Sequence, residues 1–355
     1  MKILKKTITV LVTLGGMMAS FSYGLAPMSD EGLSEITGQS LFSANYIAPD
    51  APGNPNDGVG FYRVGVAANI AINANIDKLR LGCDGPGGTG ACDISIDRLR
   101  LSGLGGTDAT DSGPPTDFLI NQPFFEFAIK NPTNPATRQV VGMRFGALSA
   151  LGALTMGENP DPNNPADDTG LNVLSGDLNL NILNAKLTNL YLCTTSLCLL
   201  PIGPLTATVD DSFSQQVIAK RLSVLADIGP LKATALGYVT LSNAHLMNTR
   251  LNGVHRVDAK DPDTGGPTMD FSLSMQAQDI NWQKVSKGDF SGVTASQGWW
   301  ISIPKVVFQD LLVTDKIQVT VLGALGGVFG GRVEVAGVDL GQKPVDNCWG
   351  ASTFC

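Results

Sequence analysis

The segment I-D-K-L-R-L at residues 76–81 recurs as I-D-R-L-R-L at residues 96–101, on either side of the loop C-D-G-P-G-G-T-G-A-C at residues 83–92. An antiparallel hairpin centred on this loop sets apolar against apolar residues and each charge against its opposite, which no neighbouring register does. The apolar residues change face along each arm, which predicts a β-bulge or a strongly twisted crossing there. The predicted pairs are Leu81–Ile94, Leu79–Ile96, Lys78–Asp97, Asp77–Arg98 and Ile76–Leu99.

The rest of the chain carries the same β pattern. Apolar and polar residues alternate from Ala68 to Asp77, which is the period of a strand with one buried face. The composition, with 41 Gly, 20 Pro and 16% charged residues, is typical of a turn-rich β protein. We therefore predict a mainly β fold, an extended antiparallel or curved sheet or a β-sandwich. Further candidate strands are residues 177–183, 186–192, 205–209, 235–241, 269–277, 299–307, 316–322 and 332–338.

Three stretches depart from this pattern. Residues 213–225 place apolar side chains at helical spacing and predict a helix. The Gly/Ala/Leu-rich stretches at residues 145–156 and 319–331 are too short to span a bilayer, and we interpret each as a buried strand or short helix. Their small residues leave a membrane-touching or self-associating surface as the alternative. Residues 184–189 loosely resemble 243–248, so a β-solenoid is the alternative fold.

The first 24 residues have the pattern of a secretory signal peptide. Three lysines precede an apolar stretch and a run of small residues. We expect cleavage after Gly24, no transmembrane helix afterwards, and a location in the periplasm, at the outer-membrane surface or outside the cell. The formal net charge of −8 becomes more negative when the signal is removed, which argues against nucleic acid as a partner. Residues 40–355 would then form a single large β-rich domain with long Pro/Asn/Asp loops.

The six cysteines fall into three close pairs. An even, locally paired set in an exported chain predicts disulfides. The pairs are Cys83 with Cys92, Cys193 with Cys198, and Cys348 with Cys355.

Residues 25–39 predict a short N-terminal helix. Ser29 is a good N-cap, acidic residues occupy the first turn, and Gly38 fits a helix end. The motif M-S-D-x-x-L-S-x-x-T-G-Q at residues 28–39 resembles the mature start of a family of exported gammaproteobacterial β-rich proteins. Some members of that family resemble components of Fil-type pilus systems. The resemblance implies a location in the cell envelope more than a mechanism, and this chain continues with Ser40-Leu41 where the family often has Asp-Gly.

Motifs that carry chemistry are missing from the sequence. It contains no G-x-S-x-G, H-E-x-x-H or Walker loop, and its only histidines are His245 and His255. We therefore expect no enzyme activity and no cofactor, with calcium as the alternative. Two acidic loops provide the oxygen ligands that calcium prefers, and the candidates are Asp161, Asp167 and Asp168 in one loop and Asp261 and Asp263 in the other. Trp299 and Trp300 must face opposite sides of a strand, so the outward ring is a candidate contact for a partner or sugar.

These observations predict a non-enzymatic structural or adhesive component of the cell envelope or surface, and the resemblance points to a pilus-like system as its setting. Its partners would be other envelope or pilus-like proteins. The alternative function is a periplasmic or outer-membrane-associated carrier of a lipid or other apolar ligand, enclosed by a curved sheet.

Overall fold

Alternating side chains and frequent turns produce two β-sheets. The structure is a computed structural model, and it describes residues 41–342 except 86, 106–115, 162–163, 195–197, 200, 210–212, 238 and 310. The predicted N-terminal helix, the signal peptide and the pair Cys348–Cys355 lie outside the described residues. The prediction of a mainly β fold with curved sheets is confirmed.

The larger sheet contains thirteen of the described strands. They are β1 (Phe42–Ile47), β2 (Val59–Val66), β3 (Asn69–Ile72), β4 (Ala74–Leu81), β5 (Ile94–Ser102), β6 (Phe118–Lys130), β7 (Gln139–Thr155), β8 (Leu171–Leu183), β11 (Phe213–Leu222), β14 (Arg256–Ala259), β15 (Thr268–Met269), β16 (Ser272–Gln276) and β17 (Gly298–Gln309). Strands β1, β2, β6, β7, β16, β17 and β8 lie side by side in this order, and β5 pairs with both β8 and β7. This part of the sheet therefore curves until it closes on itself.

The smaller sheet contains seven of the described strands. They are β9 (Lys186–Cys193), β10 (Pro201–Val209), β12 (Val224–Ala235), β13 (Val239–Arg250), β18 (Leu312–Val313), β19 (Ile317–Thr320) and β20 (Val333–Ala336). A main hydrophobic core joins the two sheets, since it includes Leu180 and Ile182 from β8 and Ile228 and Leu246 from β12 and β13. Within the described residues, two short 3₁₀ turns, Pro165–Asp167 and Leu251–Gly253, and one α-helix, α1 (Val321–Val328), accompany the strands.

The repeated hairpin forms in the predicted register. Strands β4 and β5 pair Ile76 with Leu99 and Leu79 with Ile96. The pairing skips Asp77 and Arg98, whose φ is 49°, but the register is the same on both sides, so this point contains no extra residue and no β-bulge between β4 and β5. The guanidinium of Arg98 still lies 3.2 Å from the Asp77 carboxylate.

One charged contact of the hairpin differs from the prediction. Lys78 stands opposite Asp97 in the backbone register. The ion pair of Asp97 is with Arg80, at 2.6 Å. The longer, forked guanidinium of Arg80 reaches this carboxylate diagonally across the strands.

The helix predicted at residues 213–225 is wrong. Residues from Phe213 to Leu222 form β11, which pairs antiparallel with β8, and Arg221 (φ 52°) precedes the start of β12. Pairing with β8 provides hydrogen-bond partners for the backbone of this segment. The β-branched residues Val217 and Ile218 also favour a strand, so the helical spacing of the apolar residues does not decide its structure. The strand predicted at residues 235–241 is correct only at its ends, since Ala235 belongs to β12 and residues 239–241 to β13, with Leu236 and Gly237 in the turn between them.

The two Gly/Ala/Leu-rich stretches form a largely buried strand and a short helix, as predicted. The first belongs to β7 and the second contains α1. The Thr320 side chain caps α1 by accepting a hydrogen bond from the Gly323 amide. Gly327 is buried against Leu241 and Val333, whereas three large side chains three and four positions apart face outward. They are Leu322, Leu325 and Phe329, and Phe329 is 87% exposed.

Candidate functional site: a sheet with one apolar and one polar face

One face of the larger sheet carries rows of apolar side chains that cross six strands. Because opposite residues of paired strands share a face, the registers of β1, β2, β6, β7, β16 and β17 define these rows. The first row is Tyr46, Tyr62, Phe127, Met143, Met275 and Trp299. The second row is Ala44, Val64, Phe125, Phe145, Leu273 and Ile301. We call these twelve residues the apolar face.

Much of the apolar face is open to solvent. Phe125 is 52% exposed, Val64 47% and Met275 41%. The rings of Phe125 and Phe145 are in contact, with centroids 5.2 Å apart. At the β17 end the face is covered, since Trp299, Leu273 and Ile301 pack against the main core. The apolar face is thus continuous with the main core at its β17 end. At its other end no described residue covers it.

The opposite face of the same strands carries a polar row between buried apolar residues such as Phe61 and Phe124. Moving one position along each strand gives the row Arg63, Glu126, Arg144, Ser274 and Trp300. We call the side of the sheet that carries this row the polar face.

The charged residues of the polar face form one buried network. Glu126 is fully buried, and its carboxylate accepts hydrogen bonds from Arg63 at 3.2 Å and from Arg144 at 3.0 Å. The Gln283 side chain donates a further hydrogen bond to Glu126. Burial lowers the pKa of Arg144, and the adjacent Glu126 opposes this shift.

A cover segment, residues 277–297 between β16 and β17, lies over this network. Its carbonyl groups at Lys284 and Val285 accept hydrogen bonds from Arg63 at 2.9 and 3.0 Å. Trp282 and Phe290 pack against Phe61, with ring centroids 5.7 and 5.5 Å apart. The cover segment thus supplies both the hydrogen bonds and the apolar contacts that let an ionic row be buried.

A polar cavity of about 390 Å³ remains between the polar face and the cover segment. Asp177 of β8 is its central carboxylate, and it accepts hydrogen bonds from the Trp300 indole at 2.8 Å and the Ser302 hydroxyl at 3.1 Å. Burial raises the pKa of Asp177, although these hydrogen bonds oppose the shift. Asn179 and Gln216 also line the cavity, and they stand opposite each other on β8 and β11.

The two tryptophans predicted as partner contacts enter different environments. They do face opposite sides of β17: Trp299 packs against the main core, and Trp300 belongs to a second cluster with Phe61 and Trp282. Trp300 is only 2% exposed, so it is not accessible to a partner surface. Its ring instead lines the polar cavity.

The structure does not gather the aspartates predicted as calcium ligands of the first loop. Asp161 and Asp167 are exposed. Asp168 is buried, with its carboxylate 3.7 Å from the His255 ring.

In the second acidic loop, Lys305 takes the position of a cation. Its ammonium group lies 2.5 Å from the Asp261 carboxylate and 3.7 Å from that of Asp263. Within the described ranges, no three His, Cys, Asp or Glu side chains form a group that could hold a metal ion. The calcium hypothesis therefore gains no support from this geometry.

Two of the three predicted disulfides are present, and the third lies outside the described residues. Cys83–Cys92 closes the loop between β4 and β5, and Cys193–Cys198 lies at the end of β9. Both histidines are packed inside the protein, with His245 held between Asp227 and Asn243 at 2.7 and 2.9 Å.

The two faces of this sheet were not predicted from the sequence. Their signal is a single charged residue between large apolar neighbours on each of three strands, as in Y-R-V at residues 62–64, F-E-F at 125–127 and M-R-F at 143–145. From the alternation of apolar and polar residues alone, each of these charged side chains would be predicted to face solvent.

Among the described residues, no helix has both the length and the apolar character to cross a bilayer. Comparison with known proteins gives no relationship, since no protein-family model, curated protein or solved structure matches this chain significantly.

Proposed function

We propose that the protein is a non-enzymatic, exported component of the bacterial cell envelope or surface, structural or adhesive in role. In this proposal it attaches to a partner envelope protein through the apolar face. The observation that carries the proposal is the exposure of Val64 beside Phe125, and of Met143 beside Met275, on one face of the sheet. Contiguous exposed apolar surface of this kind is a mark of an interaction site.

Three further observations support the proposal. The signal-like start predicts export, the disulfides suit an oxidising compartment, and the N-terminal motif resembles that of envelope proteins. A pilus-like assembly is the specific setting that the resemblance favours.

A partner protein explains the apolar face better than the alternative of an enclosed apolar ligand. Besides the 390 Å³ cavity, a cavity of about 240 Å³ is lined by Arg250, Asp315 and Asp339 among others. Both cavities have charged side chains in their lining, and about half of their lining surface is polar. The apolar side chains that remain available lie on an open surface, which suits another surface more than an enclosed ligand.

The test replaces Phe125 by serine in the full-length protein, expressed in its native bacterium. We expect the variant to be exported and folded, because exposed positions tolerate polar residues to within about 0.5 kcal/mol. We expect its retention in the envelope fraction to fall. The control is Lys220→Ala, at an exposed position on β11 away from the apolar face.

Unchanged retention of Phe125→Ser would contradict docking through this face. Finding the wild-type chain in the cytoplasm with residues 1–24 still attached would contradict export. Labelling of intact cells with a membrane-impermeant reagent then distinguishes a surface location from a periplasmic one.

A further inference from the structure

The polar cavity has the construction of a ligand site. Strands β8, β16 and β17 form its floor, and residues of the cover segment form its opposite wall. Its volume of about 390 Å³ lies within the range of about 300–1,000 Å³ that small-molecule sites occupy. Gln216, which is exposed, lies at its rim, and the buried Trp300 lies at its base.

The lining groups are suited to hydroxyl groups. Ser272 and Ser302 offer hydroxyls, Asn179 and Gln216 offer amides, and Asp177 offers a carboxylate. Amides and hydroxyls both donate and accept hydrogen bonds, and each carboxylate oxygen has more than one lone pair. Asp177 therefore keeps accepting capacity after its bonds to Trp300 and Ser302. A ligand hydroxyl can satisfy a donor and an acceptor of this set at once.

The cavity does not favour a charged ligand. The positive charge of Arg144 is partly balanced by Glu126, which it shares with Arg63. The remaining charged lining residues include Lys284 as well as Asp177 and Asp270, so both signs are present. Burial of Asp177 makes a further negative charge costly.

The two indole rings of Trp282 and Trp300 complete the lining. The hydrogen bond from Trp300 to Asp177 fixes one ring, so this surface is ordered before any ligand arrives.

We infer that this cavity binds a neutral saccharide, with hydroxyl groups on Asp177, Asn179 and Gln216. This inference names the class of ligand that the protein would bind in its adhesive role, and it therefore rests on the proposed function. The site is on the polar face and is separate from the surface that would attach the protein to its partner.

The experiment titrates the purified mature protein with glucose, galactose and N-acetylglucosamine. Binding is followed by saturation-transfer NMR and by tryptophan fluorescence. We expect at least one sugar to bind saturably and to change the fluorescence, because two of the four tryptophans line the cavity.

The variants Asn179→Ala and Gln216→Ala should each weaken binding by roughly tenfold or more. Both lie at partly or fully exposed positions, so their unfolding curves should match that of the wild type. Lys220→Ala, on the same strand as Gln216, is the matched control and should bind normally.

Two results would overturn the inference: no saturable binding of any of the three sugars, or binding that both cavity variants retain at full affinity. If no sugar binds while Phe125→Ser still lowers envelope retention, only the saccharide site fails. If a sugar binds while Phe125→Ser leaves retention unchanged, only the docking proposal fails.

Discussion

Arg63 and Glu126 stand directly opposite each other on β2 and β6, with Nε 3.2 Å from Oε1 and only 9% and 0% of their side chains exposed. Removing the carboxylate in Glu126→Ala would leave Arg63 and Arg144 buried without a counter-charge. We therefore expect the free energy of unfolding to fall by about 3–5 kcal/mol, measured by urea denaturation. Glu126→Gln, which keeps the shape and some hydrogen bonds, should lose less. A loss below about 1 kcal/mol for Glu126→Ala would mean that the network is well hydrated.

The helix α1 offers a matched pair of glycine variants. A Cβ on Gly327 would lie 2.5 Å from Val333 and 3.0 Å from Leu241, whereas a Cβ on Gly326 would meet nothing within 4 Å. Gly327→Ala should therefore destabilise the protein by about 1–3 kcal/mol through overpacking. Gly326→Ala should stabilise it by about 0.5–1 kcal/mol, because alanine favours a helix. Thermal unfolding of both variants checks the difference, and equal effects would contradict the described docking of α1.

The exposed side of α1 should promote self-association. Leu322 is 82% exposed and Phe329 87%. The double variant Leu322→Ser/Phe329→Ser removes this apolar surface and leaves Gly327 unchanged. We expect the same unfolding midpoint within about 0.5 kcal/mol and weaker concentration-dependent association in analytical ultracentrifugation. Unchanged association would locate the self-association surface elsewhere.

The raised pKa of Asp177 predicts a pH dependence of stability. Because burial favours the protonated form in the folded state, the folded protein binds this proton more tightly than the unfolded chain. The contribution of Asp177 to the free energy of unfolding therefore falls as the pH rises from the ordinary aspartate value through the raised pKa. Asp177→Asn should flatten this part of the profile, measured by urea unfolding at a series of pH values. An identical profile for both proteins would show that the carboxylate is well solvated.

The disulfide between Cys83 and Cys92 closes a short loop, so its loss should have a limited effect. We expect Cys83→Ser/Cys92→Ser to lower stability by about 2–3 kcal/mol. The hairpin should keep its register, because the pairs Arg80–Asp97 and Arg98–Asp77 remain. Hydrogen exchange of the β4 and β5 amides is the measurement. Loss of protection along both whole strands would mean that the disulfide, and not the pairing, holds the hairpin.

The sequence predicted those parts of the fold in which local pattern and long-range packing agree. The β4–β5 hairpin is one example, since its charges and apolar residues specify a single register within 26 residues of chain from 76 to 101. Residues 213–225 are the opposite case, because apolar spacing alone could not reveal that β8 offers this segment a full set of backbone partners.

The polar face could not be predicted in the same way. Arg63, Glu126 and Arg144 are far apart in sequence and meet only through the pairing of β2, β6 and β7. The cavity also needs the cover segment, whose conformation depends on contacts such as the reciprocal hydrogen bonds between Asn56 and Asn281 at 2.8 and 2.9 Å. Such contacts leave no periodic pattern in the sequence.

The inward direction of Glu126 has a consequence for how the chain finds its fold. If β6 paired one residue out of step, every side chain on it would change sides. Glu126 would reach water, and the buried Phe124 and Ala128 would be exposed with it. The shift would also leave two buried guanidinium groups without a carboxylate, which is costly, so the ion pairs and the apolar packing of β6 select the same alignment.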